Sequence, residues 1–128
     1  MTVTNPGEGV ELAALAGANV HIVEGFKPLH DHWLARGYQV STSVEGECEA
    51  AIVCLPRAKG EARATIAAVA ARCSGTLIID GQKTDGVDSL LREIRARVTV
   101  FGPISKAHGK LFWFTPTPGL FEDWQAGP

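Results

Sequence analysis

The chain has 128 residues, of which 45% are hydrophobic, so it can build one domain around one core but not two. It has no apolar stretch of roughly 18 residues and no secretion signal in its polar start, so we expect a cytoplasmic protein that does not enter a membrane. Its three cysteines are odd in number and lack C-x-x-C spacing, which favours reduced thiols and argues against disulfides and a metal site.

The formal net charge of -2 at pH 7 conceals an uneven distribution. Through Cys54 the chain has two Lys and Arg residues against seven Asp and Glu residues, whereas from Leu55 to Lys110 it has ten against five. The basic middle can supply a local patch for a polyanion. The acidic total argues against a domain that is basic over its whole surface.

In the first half of the chain, apolar periodicity and stop signals predict two helices and three strands. In chain order these are a helix over Val10–Ala16, a strand over Asn19–Val23, a helix opened by Pro28, and strands over Tyr38–Val44 and Ala50–Leu55. The helix at Pro28 carries the apolar pair Leu29 and Trp33, which are spaced i, i+4. The pair Arg36-Gly37 is typical of a helix end.

The second half continues the alternation until its last two strands. In chain order we predict a helix over Ala58–Cys73, a strand over Thr76–Asp80, a helix with Val87, Leu90, Leu91, Ile94 and Val98 on one face, and strands over Val98–Phe101 and Lys110–Thr115. Asp85 and Asp88 are placed to cap the last helix. The eight-residue connection Gly102–Gly109 is too short for a helical crossover, so the final strand is expected to run antiparallel.

This pattern predicts an α/β fold, with an open, mainly parallel sheet, helices on both faces and an antiparallel final strand. Such a sheet has the outline of a Rossmann-like class I methyltransferase, an analogy that predicts no chemistry. We assign residues 1–115 to this domain. Residues 116–128 are polar, contain Pro and Gly and show no periodicity, and we predict that they begin an interdomain linker.

Three segments carry a resemblance to a known family, namely Val53–Ala62, Asp80–Ser89 and Ile104–Phe112. Together they resemble the amino-terminal domain of the small-subunit ribosomal RNA guanine-N2 methyltransferases, whose chains duplicate one fold. The resemblance covers about the whole domain, from His21 to Phe114. It implies a catalytic carboxy-terminal copy that binds S-adenosylmethionine. It also implies that the amino-terminal copy, without cofactor, assists RNA recognition and the folding of its partner.

Two sites that the family's catalytic copy needs are altered in this chain. The turn after Asn19–Val23, interpreted as the first core strand, is Glu24–Pro28, in which Phe26 and Lys27 would fill the place of a cofactor. The catalytic copy carries Asn-Pro-Pro-aromatic after its fourth strand, where this chain has Cys54–Arg57. We therefore expect neither a cofactor nor a catalytic residue here. The S-adenosylmethionine site would lie in a carboxy-terminal methyltransferase domain of the same chain.

Six potential cations follow strands or lie in the connection between the last two: Arg57, Lys59, Lys83, Lys106, His108 and Lys110. Ligands of an open parallel sheet meet the loops at the carboxyl ends of the strands, so we expect these side chains to form one basic rim. Such a rim suits the phosphates of ribosomal RNA, which supply affinity with little sequence specificity. A solvated edge, or a surface that docks on the missing domain, is the alternative.

Two further hypotheses stay open at this point. The chain could be a small stand-alone α/β enzyme that uses Ser105 and His108 as nucleophile and base, or it could be a purely structural partner domain. His30-Asp31-His32 does not suit a metal ion, because positions i and i+2 of a helix face different ways.

Overall fold

The structure, a computed structural model, describes residues 1–4, 20–24, 27–42, 44, 46–55, 59–82, 86–106, 109–117 and 119–124, and it describes only the backbone of Lys59 and Lys106. The strands of these residues are β1 (Thr2–Thr4), β2 (His21–Val23), β3 (Gln39–Ser41), β4 (Cys48–Cys54), β5 (Cys73–Gln82), β6 (Phe101–Lys106) and β7 (Gly109–Phe114). The helices are α1 (Lys27–Ala35), α2 (Lys59–Ala70), α3 (Val87–Arg95) and a 3-10 turn at Glu122–Trp124.

The strands form one sheet in the order β3-β2-β1-β4-β5-β7-β6. Strands β1 to β5 run parallel, and β7 runs antiparallel to both β5 and β6. The short strand β1 lies inside the sheet, where Val3 pairs with Ile22 of β2 on one side and with Ile52 of β4 on the other. The expected open, mainly parallel sheet with an antiparallel last strand is confirmed.

The larger core lies between the β4-β5-β7 part of the sheet and helices α2 and α3. Val53, Ile79 and Phe112 form one fully buried row across these three strands, because directly paired residues point to the same face. Helix α3 packs onto this face with Val87, Leu90, Leu91 and Ile94, all buried as their helical spacing predicts. A smaller core on the opposite face comprises Val3, Val20, Ile22 and Trp33.

Helix α1 confirms the helix predicted at Pro28. Trp33 is buried, and its carbonyl oxygen accepts hydrogen bonds from the N–H groups of Arg36 and Tyr38 at 3.1 and 3.2 Å. Gly37 has φ 90°, a left-handed conformation that a side chain disfavours, so the glycine ends the helix where the sequence indicates.

Two of the predictions for the elements up to β5 are wrong. Strand β1 was not expected, so the predicted strand Asn19–Val23 is the second strand of the fold and not the first. The helix predicted to reach Cys73 ends at Ala70, and Cys73 instead begins β5. The helix predicted over Val10–Ala16 lies outside the described residues.

The last two strands are confirmed, but the boundaries predicted for them are wrong. Strand β6 begins at Phe101 and continues through Gly102–Lys106, most of the predicted connection. Its pairing with β7 shifts register between Phe101 and Ile104, where the Gly102-Pro103 peptide bond is cis. A Cβ atom at Gly109 would overlap the carbonyl oxygen of Gly81, so the close approach of β7 to the end of β5 requires glycine there.

The packed domain extends beyond the predicted boundary at residue 115. Phe121 is 3% exposed and contacts Phe114 of β7 edge to face, with ring centroids 5.8 Å apart. Arg97 donates two hydrogen bonds of 2.7 Å to the carboxylate of Asp123 and holds the pKa of that exposed carboxyl below its usual range. Its guanidinium carbon lies 4.7 Å from the centroid of the Trp124 ring. That a linker follows stays a prediction.

Candidate functional site

The parallel strands end together at one edge of the sheet, which we call the carboxyl edge. Thr4 of β1 pairs with Val23 of β2 and with Val53 of β4, and Cys54 pairs with Asp80 of β5. The chain leaves β1 for β2 and β3 on one side and later builds β4 to β7 on the other side. The end of β1 is therefore the topological switch point, where open α/β sheets bind ligands.

The predicted basic rim is described only in part. Lys59 begins α2, Lys106 ends β6 beside Gly109, and Lys110 is the second residue of β7. Lys110 pairs with Gly81 near the end of β5, which places Lys110 at the carboxyl edge. The other three members of the rim, Arg57, Lys83 and His108, lie outside the described residues.

Lys110 has a partner within the domain. Its Nζ lies 2.6 Å from a carboxylate oxygen of Asp88, in the first turn of α3, and both side chains are partly exposed. The prediction that Asp88 caps α3 is wrong, because the N-cap residue is Gly86, with φ 78°, and this cap has no side-chain hydrogen bond among the described residues. The other predicted cap, Asp85, lies outside the described residues. The Asp88 carboxylate instead fixes Lys110 beside the helix.

Two buried polar side chains lie where β1 and β2 end. Thr4 is fully buried, and its Oγ1 has no hydrogen-bond partner among the described residues. Glu24 is 5% exposed, and its backbone N–H donates to the carbonyl oxygen of Ser41 at 2.8 Å. A buried carboxyl group beside the switch point can accept hydrogen bonds from a ligand there. Our interpretation of the sequence missed both residues, since it did not place β1.

A second feature is a groove on the α3 side of the sheet, which we call the α3 groove. It has a volume of about 390 Å³ and is lined by Asp88, Leu91, Arg92, Arg95 and Lys110. Arg95 donates a 3.3 Å hydrogen bond to the carbonyl oxygen of Gly102 in β6. Arg92 and Arg95 were not predicted as site residues. Their spacing from Asp88, at i+4 and i+7, is the signal in the sequence that places them on one side of a helix.

A cleft of about 560 Å³ lies at the opposite, amino edge of the sheet. Its lining includes His21, whose Nε2 lies 2.7 Å from the Oγ of Ser41, and the half-buried Cys48. Cys73 pairs directly with Cys48 across β4 and β5, and burial raises the pKa of the Cys73 thiol.

Within the described part of the chain, no group of three or more His, Cys, Asp or Glu side chains is placed to hold a metal ion. No described helix combines the length and apolar character needed to cross a bilayer.

Comparison with known proteins establishes the fold. No profile of a known protein family and no curated protein sequence matches the chain. The structure of the T. thermophilus 16S rRNA N2 G1207 methyltransferase, in complex with AdoMet and guanosine, superimposes with a TM-score of 0.77 at 20% identity over 91% of this chain. The chain has a Rossmann-like methyltransferase fold. It spans 35% of the T. thermophilus chain.

Two other solved structures share this fold. The Thermoplasma acidophilum protein 1320 matches 88% of the chain with a TM-score of 0.65 at 16% identity, and 75% of that protein is covered. A protein from Clostridium thermocellum that is assigned as an rRNA methylase matches 92% of the chain with a TM-score of 0.58 at 14% identity, and 88% of it is covered. Sheets of this kind therefore occur in chains of similar length as well as in longer ones.

The strand order of this methyltransferase-like fold corrects the interpretation of the cofactor turn. The turn Glu24–Pro28 follows β2, and Lys27 and Pro28 already belong to α1. The sequence that follows the first strand begins with Asn5–Gly9, which contains two glycines and lies outside the described residues. Phe26 and Lys27 follow β2 in the chain and not the first strand, so they give no reason to expect a blocked cofactor site. The absence of a cofactor stays a prediction.

The end of β4 is the place where the sequence argument used the correct strand. Cys54 is the last residue of β4, and Leu55 follows it with 8% of its surface exposed. The backbone N–H of Leu55 donates to the carbonyl oxygen of Asp80 at 2.9 Å, and its side chain packs in the larger core. Pro56 and Arg57 lie outside the described residues. A buried leucine at this point has no side-chain group that can hold a polar substrate.

Proposed function

We propose that this chain is a non-catalytic, methyltransferase-like domain of a larger ribosomal RNA guanine-N2 methyltransferase. In this role it assists RNA recognition and the folding of a catalytic partner domain. The fold, its likeness to one third of a 16S rRNA methyltransferase chain and the three segments of the sequence resemblance support the proposal. The partner domain would supply S-adenosylmethionine binding and catalysis.

The observation that carries the non-catalytic part is Cys54 at the end of β4, which stands at the first position of the family's Asn-Pro-Pro-aromatic motif. In the family's catalytic copy, an asparagine side chain and neighbouring carbonyl groups at this place hold the target amine. A cysteine thiol is only a weak donor and acceptor, so it would not replace the amide group of that asparagine in holding the amine. Such a site would bind the target base poorly and would not orient it for methyl transfer.

RNA recognition is proposed for the carboxyl edge. In the sequence, the six residues of the predicted basic rim follow β4 and β5 or lie at and between the adjoining ends of β6 and β7, and we propose that they face the RNA together. Phosphate contacts of this kind position a nucleic acid without reading its bases, which suits a domain that presents RNA to a partner domain. Because the attraction is electrostatic, RNA affinity should fall steeply with ionic strength.

Isothermal titration calorimetry of the full chain with S-adenosylmethionine tests the proposal. We expect no measurable heat of binding. We also expect no transfer of a labelled methyl group to 16S rRNA by this chain alone. Submillimolar cofactor binding would contradict the cofactor-free domain, and methyl transfer would contradict the non-catalytic one.

A second candidate is a domain that still binds an adenosine-containing cofactor, as one copy or as a stand-alone methyltransferase. It is favoured by the buried Glu24 beside the switch point, by the two glycines after β1 and by the coverage of 88% of the C. thermocellum protein. In this case the titration would show binding that Glu24→Gln weakens, because the carboxylate would lose its charge-assisted hydrogen bonds. A binding signal that Glu24→Gln leaves unchanged would place the cofactor elsewhere.

A further inference from the structure

We propose that the α3 groove binds the phosphate backbone of single-stranded RNA and extends the basic rim along the flank of the domain. This inference rests on the RNA contact in the proposed function and gives it a second, separately testable surface. The lining residues, Asp88, Leu91, Arg92, Arg95 and Lys110, come from one side of α3 and from β7.

The geometry of α3 aligns the charges of the groove. Asp88, Arg92 and Arg95 are spaced i, i+4 and i+7, so they follow one side of the helix next to its buried apolar face. With a rise of about 1.5 Å per residue, they cover roughly 10 Å of the helix axis. Lys110 pairs with Asp88 at the start of this row. Arg95, at the end of the row, donates a hydrogen bond to the carbonyl oxygen of Gly102 in β6.

The charge balance of the groove favours an anion. Three of its lining residues are cations and one is a carboxylate, and that carboxylate already pairs with Lys110 at 2.6 Å. Within the described part of the chain, neither Arg92 nor Arg95 pairs with a carboxylate. Both arginines are exposed, so their guanidinium groups remain accessible to a ligand. Arginine forks match the oxygens of a phosphodiester well.

The position of the groove points to a strand that continues from the rim. Lys110 belongs to both surfaces, and Lys106 and Gly109 pair directly beside it at the carboxyl edge. A backbone that meets the rim can therefore pass from Lys110 to Arg92 and then to Arg95, and Asp88 is the one acidic residue among the described residues that line this path. A cationic groove that follows a backbone is typical of single-strand binding.

The test measures the fluorescence anisotropy of a labelled oligouridylate of about 12 nucleotides with the full chain over a range of salt concentrations. For Arg92→Gln/Arg95→Gln we expect a loss of about tenfold in affinity at low salt. We also expect the slope of log affinity against log salt to become about 1.4 shallower, since each phosphate contact contributes about 0.7. The matched control is Arg36→Gln/Arg72→Gln, which removes two exposed arginines outside the α3 groove and should change the affinity less than twofold.

A variant of the basic rim, Lys83→Gln/Lys106→Gln, distinguishes RNA binding by the rim from RNA binding by the α3 groove. If this variant loses RNA affinity while Arg92→Gln/Arg95→Gln behaves like the control, the proposal that the α3 groove binds RNA is wrong, and the proposal that the basic rim binds RNA is supported. If the unaltered chain does not bind the oligouridylate even at low salt, the proposed RNA contact fails together with the groove. If the groove variant binds RNA normally but no longer associates with the catalytic domain, the groove docks an acidic protein surface and the inference is overturned.

Arg92→Gln alone, which keeps the hydrogen bond from Arg95 to Gly102, is the control for folding, and its midpoint of thermal unfolding should equal that of the unaltered chain.

Discussion

Two thiols lie next to each other at the amino edge of the sheet. Cys48 and Cys73 are direct partners on the neighbouring parallel strands β4 and β5, and both contact the larger core. Adjacent strands lie about 4.8 Å apart, within the range of Cα separations that a disulfide spans. Cys54 lies at the other end of β4, about 20 Å away by the rise of an extended strand, and cannot take part in this pair.

We predict that mild oxidation with a low-molecular-weight disulfide links Cys48 to Cys73 and leaves Cys54 as a thiol. The half-buried Cys48 is expected to attack first, because burial raises the pKa of the Cys73 thiol and keeps it protonated. The closed loop should stabilise the domain by about 3 kcal/mol, seen as a higher midpoint of thermal unfolding. Peptide mapping after alkylation identifies the linked residues.

The variants Cys54→Ser and Cys48→Ser provide the comparison for this experiment. The first should form the disulfide as readily as the unaltered chain, and the second should not form it. A map in which Cys48 and Cys73 are both alkylated after oxidation would mean that the two side chains do not face each other as described.

The sequence could predict the state of these thiols but not their pairing. An odd cysteine count without C-x-x-C spacing indicates free thiols, and the described cysteines are free. Cys73 follows Val69 at i+4 and so extends the helical pattern of α2, which is why it was assigned to the helix. Helix α2 ends at Ala70, and Cys73 belongs to β5, where it pairs with Cys48 of β4. A local apolar pattern cannot predict this pairing, because it depends on a strand that is distant in the sequence.

At the scale of the elements, the carboxy-terminal turn was the most difficult to predict. Residues 116–128 contain Pro116, Pro118 and Gly119 and show no long apolar period, so their composition is that of a linker. The 3-10 turn is nevertheless held by contacts with distant residues, including the ion pair of Arg97 with Asp123. Phe121 also stacks on Trp124, with 4.7 Å between ring centroids. The i, i+3 spacing of these two aromatic residues is the one local signal of a packed turn.

We predict that Phe121→Ala lowers the free energy of unfolding by about 3 kcal/mol, because it leaves a cavity beside Phe114 and removes a fully packed ring. The matched control is Phe101→Ala. Phe101 is 53% exposed on β6, so its loss should change stability by no more than about 0.5 kcal/mol. Urea unfolding followed by circular dichroism measures both variants. Equal effects would show that Phe121 does not belong to the core.

For the whole molecule, the fold class was predictable because its signal repeats along the chain. Apolar strands such as Ala50–Leu55 alternate with helices such as the one at Pro28, and this alternation fixes a mainly parallel sheet. The order of the strands was not predictable in the same way. It depends on β1, which has three residues and is too short to show a period. The error in placing the cofactor turn follows from this one missing strand.

The final prediction tests whether β1 joins the two halves of the sheet. Val3 is fully buried between Ile22 and Ile52, so Val3→Asp would place an unpaired carboxylate in the core and should abolish cooperative unfolding. Its neighbour Thr4 is equally buried, but its Oγ1 has no hydrogen-bond partner among the described residues, so the isosteric Thr4→Val should be neutral or stabilise the domain by about 1 kcal/mol. Urea unfolding distinguishes these outcomes, and a normal transition for Val3→Asp would show that β1 does not join β2 to β4. A loss of stability in Thr4→Val would instead show that its hydroxyl has a partner, which must then lie in a segment outside the described residues.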